Sequence, residues 1–100
     1  MATATASDAS LIERKVQVLK AIAHPVRFRI VTRLCAGQSH VNGLAEELDV
    51  PQTIISQQLR ILRMSELVDV QRSSGFAVYR LAEPHLKSLI RCMDRCCDPK

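Results

Sequence analysis

The sequence predicts a mostly α-helical domain completed by a β-hairpin wing, a winged helix-turn-helix of order α-α-α-α-β-β-α. Three observations carry that prediction. Apolar residues recur at helical spacing in four successive segments up to Met64. From Leu67 the period changes to strand-like alternation on either side of a Gly-containing turn. A short third helical segment runs through a tight turn into a fourth studded with polar residues, and the hairpin follows at once.

Residues 1–9 are rich in Ala, Thr and Ser without periodicity, and are expected to form a disordered N-terminal tail before a domain over residues 10–97; residues 98–100 form a short C-terminal tail. Ser10 and Glu13 have the spacing of a capping box, followed by Ile12, Val16, Leu19 and Ala23 at helical intervals. Leu11, Val18 and Ile22 add a second apolar face, as expected of an interface helix. His24-Pro25 ends this helix, and Pro25 opens the next, where a missing N–H is tolerated. Val26, Ile30 and Leu34, with Phe28 and Val31, define the second helix, which Gly37 stops. Val41, Leu44, Ala45 and Leu48 mark the short third helix. After Pro51, Ile54, Ile55, Leu59 and Leu62 mark the fourth. Leu67 to Arg72 and Phe76 to Leu81 read as strands around Ser73-Ser74-Gly75. After Pro84, Leu86, Leu89, Ile90 and Met93 give a last helix reaching Cys92, Cys96 and Cys97.

With 100 residues and three aromatics, the chain fits one small domain. A lone aliphatic core of this size buries a modest fraction of its surface, which points to a symmetric homodimer. No run approaches the roughly 20 apolar residues that span a bilayer, and the first ten residues lack a basic segment followed by an apolar one. A cytoplasmic protein with no membrane partner is expected, its four cysteines kept as thiols for metal or redox chemistry.

The net charge of +4 is compatible with an anionic partner, and residues 50–80 carry Arg60, Arg63, Arg72 and Arg80 against Glu66 and Asp69. On the fourth helix, Gln52, Thr53, Ser56, Gln57 and Arg60 share one face, opposite the apolar set. Such a face can enter a major groove, with Gln reading adenine and Arg forking onto guanine. Arg72 and the wing tip are placed for phosphate or minor-groove contact. Double-stranded DNA is therefore the expected partner. RNA is not, because Phe28, Phe76 and Tyr79 are too scattered to make a stacking platform. No phosphate loop, nucleophile elbow or paired-carboxylate pocket suggests an enzyme.

Cys92, Cys96 and Cys97 are three thiols within six residues. On an ideal helix the first two lie about 40° apart and the third about 100° further round. Three thiolates suit As(III) or Sb(III), and thiolate-rich sets also take Zn(II) or Cd(II). Cys35, at the end of the second helix, reads as core filler. His24, His40 and His85 read as structural or capping residues.

The chain resembles the ArsR/SmtB family of winged-helix repressors over about residues 15–97. The resemblance is carried by Leu19-Lys20-Ala21-Ile22-Ala23-His24-Pro25-Val26-Arg27, Gly43-Leu44-Ala45-Glu46-Glu47-Leu48, Ile55-Ser56-Gln57-Gln58-Leu59-Arg60-Ile61-Leu62 and Val78-Tyr79-Arg80-Leu81. It implies a homodimer through the first and last helices, a pseudo-palindromic operator and release by an inducer. One family metal motif is missing, since His40-Val41-Asn42-Gly43 holds no cysteine at the start of the third helix. A second family site, spanning the two last helices of a dimer, is matched by Glu83 and His85, while Cys96 stands where a His is usual and Pro99 where a fourth ligand is usual. The expectation is a repressor released when the C-terminal cysteines bind a soft metalloid or metal. A thiol-redox or reactive-sulfur sensor of the same fold is the alternative within the class, for which the resemblance implies a pairing of Cys35 with Cys96 or Cys97. A small metal-buffering or protein-interaction module without specific DNA binding is the rival outside it.

Overall fold

Pro51 to Ser65 shows how the sequence sets its own boundaries. Pro51 accepts from the amides of Ile54 and Ile55, so the chain turns into helix immediately after it, and Ile55, Leu59 and Leu62 are then spaced to face inward. A computed structural model describes residues 5–97 and gives the order α1 (Thr5–Ile22), α2 (Pro25–Leu34), α3 (Val41–Leu48), α4 (Gln52–Met64), β1 (Val68–Ser73), β2 (Phe76–Leu81) and α5 (Leu86–Cys96). This is the expected winged helix-turn-helix order. Among the described residues no helix is long and apolar enough to cross a membrane.

The start of α1 corrects the sequence reading. Residues 5–9, expected as tail, form the first turns of the helix, and the Ser10/Glu13 capping box lies inside it. Ala-rich sequence costs little to keep helical once a downstream turn has nucleated. Residues 1–4 and 98–100, the rest of the two expected tails, lie outside the described residues.

The core is aliphatic: Ile30, Val31, Leu44, Ile55, Leu59, Leu62 and Leu67 are essentially excluded from solvent, and Ala21, Ile22, Leu34, Val68, Leu86 and Ile90 complete it. His24 and His40 are N-caps, as expected. His24 Nδ1 accepts from the Val26 amide at 3.1 Å, and His40 Nδ1 from the Gly43 amide at 3.1 Å. Arg33 pairs with Glu47, and Arg29 donates to the Leu48 carbonyl, fixing α2 against α3.

β1 and β2 are antiparallel, with Val70 opposite Tyr79 and Arg72 opposite Ala77. The turn is the pair Ser74-Gly75, with φ of 53° and 84°, as a type I′ hairpin requires. Reciprocal backbone bonds between Ser39 and Tyr79, at 3.0 and 2.7 Å, anchor the wing to the loop before α3. The wing therefore projects from the same body that holds α3 and α4.

Candidate functional site

The two faces of α4 divide cleanly. Ile55, Leu59 and Leu62 are buried, while Gln52, Thr53, Ser56, Gln57 and Arg60 are all exposed on the opposite side. Arg60 and Arg63, with Asp69 of the wing, line an open recess of about 400 Å³ between α4 and β1. Arg63 belongs to this basic surface, although the helical-face pattern left it out. Arg72 is exposed near the tip of β1, pairing across to Ala77. Polar α4 side chains, two guanidiniums in the recess and the projecting wing thus share one exposed, largely basic surface, with side chains of the types that contact phosphates and base edges.

α4 is held from behind by two arginines of the α1–α2 region. Arg27 donates to Gln58 Oε1 at 2.8 Å and to the carbonyl of Ala21 at the end of α1. Arg14 of α1 donates to the carbonyl of Ser65, the C-cap of α4, at 3.0 Å. Neither bond was legible in the sequence, because each joins residues far apart in the chain.

α1 carries an outward apolar stripe. Ile12, Val16 and Leu19 are 58%, 41% and 53% exposed, although they repeat at helical spacing, while Ala21 and Ile22 on the other side are buried. Met93 of α5 is also exposed. A groove of about 530 Å³ separates the two helices, lined by Arg14, Lys15, Val18, Leu19, Glu83, His85 and Leu89.

At the mouth of that groove Glu83 Oε2 lies 2.7 Å from His85 Nδ1 and also accepts from the His85 amide at 3.0 Å. These two hydrogen bonds, with smaller contributions from the charges of His85 and then Arg14, hold the Glu83 carboxyl below its ordinary range. His85 also continues into α5 without capping it.

All four cysteines are free thiols. Cys92 and Cys96 lie one turn apart on α5, and Cys92, first through its charge, pushes the Cys96 thiol above its usual value. Cys97, the C-cap residue, is exposed and held by a single backbone bond to the Met93 carbonyl. Among the described residues no three His, Cys, Asp or Glu side chains converge on one point. Cys92 and Cys96 thus share a face of α5, while Cys97 lies beyond its last residue and completes no three-donor group with them.

Cys35 is half-buried, and that burial raises its thiol, opposed by the charges of Lys87 and Arg91. Its neighbours on α5 are therefore Lys87, Arg91 and Asp94. Cys96 lies on the far side of that helix, about 170° from the face they share.

Residues 24–70 match the family model described as "Bacterial regulatory protein, arsR family". The chain is similar to the HTH-type transcriptional repressor SmtB of Mycobacterium tuberculosis, at 40% identity over 74 residues, covering 74% of this chain and 55% of that protein. It is also similar to the HTH-type transcriptional regulator NmtR of the same species, at 35% identity over 83 residues, covering 83% of this chain and 69% of that protein. The chain thus spans about half to two thirds of the length of these curated relatives. Among solved structures it is similar to the homodimeric winged helix-turn-helix DNA-binding domain of Mb0332 from Mycobacterium bovis. That match has a TM-score of 0.85 at 26% identity and covers 98% of this chain and 91% of that one.

Proposed function

From the premise that this chain belongs to the ArsR family of bacterial regulatory proteins, we propose that it is a homodimeric transcriptional repressor, not an enzyme. It binds a pseudo-palindromic operator in double-stranded DNA and leaves it when thiols at the end of α5 take up a soft metalloid or metal. The single observation that carries the reading is the two-sided α4, with Thr53, Ser56, Gln57 and Arg60 exposed opposite Ile55, Leu59 and Leu62. Two linked copies of that helix would read two half-sites. The outward stripe of Ile12, Val16 and Leu19 supports such a dimer, as does the homodimeric state of Mb0332.

As(III) or Sb(III) is the favoured inducer. Cys92 and Cys96, one turn apart on α5, offer two soft donors on one face, and Cys97 can join if the last turn of α5 unwinds. That turn follows Met93 on the exposed apolar side of α5, so ligation would change the geometry of the dimer contact and with it the spacing of the two reading helices. Couplings of this kind are worth about 1–3 kcal/mol.

A second reading is favoured by the Glu83–His85 contact, which offers one oxygen and one imidazole nitrogen to Zn(II) or Cd(II). Cys96 is the further donor implied by the family pattern. A redox pairing of Cys35 with Cys96 or Cys97 has less support, because Cys35 faces Lys87 and Arg91.

The test is to titrate As(III), Sb(III), Zn(II) and Cd(II) separately into the reduced complex with DNA from upstream of the chain's own gene. Release by As(III) that disappears in Cys96→Ser and Cys97→Ser, and persists in Cys35→Ser, is the expected result. Release by peroxide or polysulfide alone, dependent on Cys35, would establish the redox alternative instead. Binding without sequence preference would establish the metal-buffering or interaction module.

A further inference from the structure

We propose that Asn42 is a latent self-modification site: its side-chain amide cyclises onto the backbone nitrogen of Gly43 when the first turn of α3 opens, and the His40 cap holds that reaction dormant. The inference does not depend on what α4 reads.

Asn42 is the only asparagine in the chain, and glycine follows it. A backbone nitrogen attacks the preceding side-chain amide most readily when its own residue carries no Cβ to hinder the approach, and glycine also leaves helical backbone with least restraint. Asn42 is exposed, so water reaches the product of that attack.

The cap accounts for the pair. His40 Nδ1 accepts from the Gly43 amide at 3.1 Å, and the His40 carbonyl accepts from the Leu44 amide at 3.0 Å. The imidazole thereby lies against Gly43, where a Cβ would stand 3.3 Å from His40 Cε1 and 3.0 Å from Ser39 Oγ. The close approach favours glycine at position 43, and glycine at that position makes Asn42 labile. The same cap opposes the reaction. It engages the hydrogen of the attacking nitrogen and, with the fully buried Leu44, keeps Asn42 in helical backbone, whereas cyclisation needs the extended backbone that swings this nitrogen onto Asn42 Cγ.

The chemistry consumes only water. The Gly43 nitrogen gives its proton to solvent and bonds to Asn42 Cγ, and the side-chain nitrogen leaves as ammonia, closing a succinimide. Water then opens either ring carbonyl. Opening at Cγ leaves an ordinary aspartyl link, while opening at the backbone carbonyl routes the chain through Cγ and inserts a methylene at the start of α3. Both products place a new carboxylate at position 42. The second also breaks the register of the cap beside Ser39, whose backbone bonds to Tyr79 anchor the wing.

Isoaspartate content and the mass gain of an amide-to-acid conversion, mapped to position 42 in the whole chain at about pH 8, where an ordinary imidazole is neutral, give the rate. Cyclisation passes through the opened turn, so its rate tracks the open population. The parent chain is expected to react at least about tenfold more slowly than the same chain unfolded in guanidinium, and His40→Ala about fivefold faster than the parent, the factor by which a lost N-cap shifts the opening equilibrium. His40→Asp, which keeps an acceptor at the cap, should stay within about twofold of the parent. His24 caps α2 by the same bond, to the Val26 amide at 3.1 Å, so His24→Ala should likewise stay within about twofold if opening is local to α3. The proposal is overturned if the folded parent reacts as fast as the unfolded chain, if His40→Ala reacts no faster than the parent, or if His40→Asp or His24→Ala reacts as fast as His40→Ala.

Discussion

Leu19→Ala is expected to weaken the dimer by roughly two orders of magnitude while leaving the protomer folded. Leu19 is 53% exposed in the protomer, on the outward stripe of α1. That exposure corresponds to roughly 100 Å² of apolar surface, of which truncation to Ala removes roughly 60 Å², or about 1.5 kcal/mol of burial per copy at 25 cal/mol per Å². In a two-fold dimer the loss counts twice, giving about 3 kcal/mol, or roughly a 150-fold rise in the dissociation constant. The protomer has little to lose, since Leu19 is outside its buried core and Ala is the best helix former. Sedimentation equilibrium over a range of protein concentrations reads the dimer constant, and thermal unfolding followed by circular dichroism checks the fold. An unchanged dimer constant, in both Leu19→Ala and Leu19→Glu, would refute the assignment of this stripe to the interface.

Gln57→Ala and Arg60→Ala should each reduce discrimination at one position of the operator by about 1–3 kcal/mol without altering the dimer, as competition against single-base variants of the site would show. Arg72→Ala should instead weaken binding to all sequences alike and lower the slope of log affinity against log salt by about one, the mark of a lost phosphate contact. A charge at Met93, as in Met93→Glu, should dissociate the dimer and abolish tight DNA binding together, both measurable by fluorescence anisotropy. Because the Cys92 charge raises the Cys96 thiol, Cys92→Ser should return it toward its ordinary value. Cys96 alkylation by iodoacetamide should then reach half its maximal rate at a lower pH than in the parent protein.

What the sequence made legible was whatever depends on local spacing. The apolar period of Ile55, Leu59 and Leu62 placed α4 and its polar face; the Ser74-Gly75 pair, with both φ positive, placed the hairpin. The double apolar character of α1 came through in part: Ile12, Val16 and Leu19 form an outward face and Ile22 of the second face is buried, but Leu11, expected beside it, is 56% exposed. The start of α1 did not, because Ser10 and Glu13 imitate a cap that the Ala-rich turns before them override. Contacts between distant residues leave no periodic trace, so Arg14 to Ser65 and Arg27 to Gln58 emerged only from the packed chain. The thiols were half legible. Helical arithmetic brings Cys92 and Cys96 together, but which face of α5 meets Cys35 depends on how that helix packs.

Hydroxyl-radical footprinting on DNA from upstream of the chain's own gene tests the central claim most directly. A dimer reading through α4 and the wing predicts two protected half-sites related by a dyad, centred about 10 base pairs apart or a multiple of that. Substituting Gln57 and Arg60 together should erase that protection while the protein stays dimeric. Uniform protection without a dyad, or protection unchanged by the double substitution, would contradict α4 as the reading element.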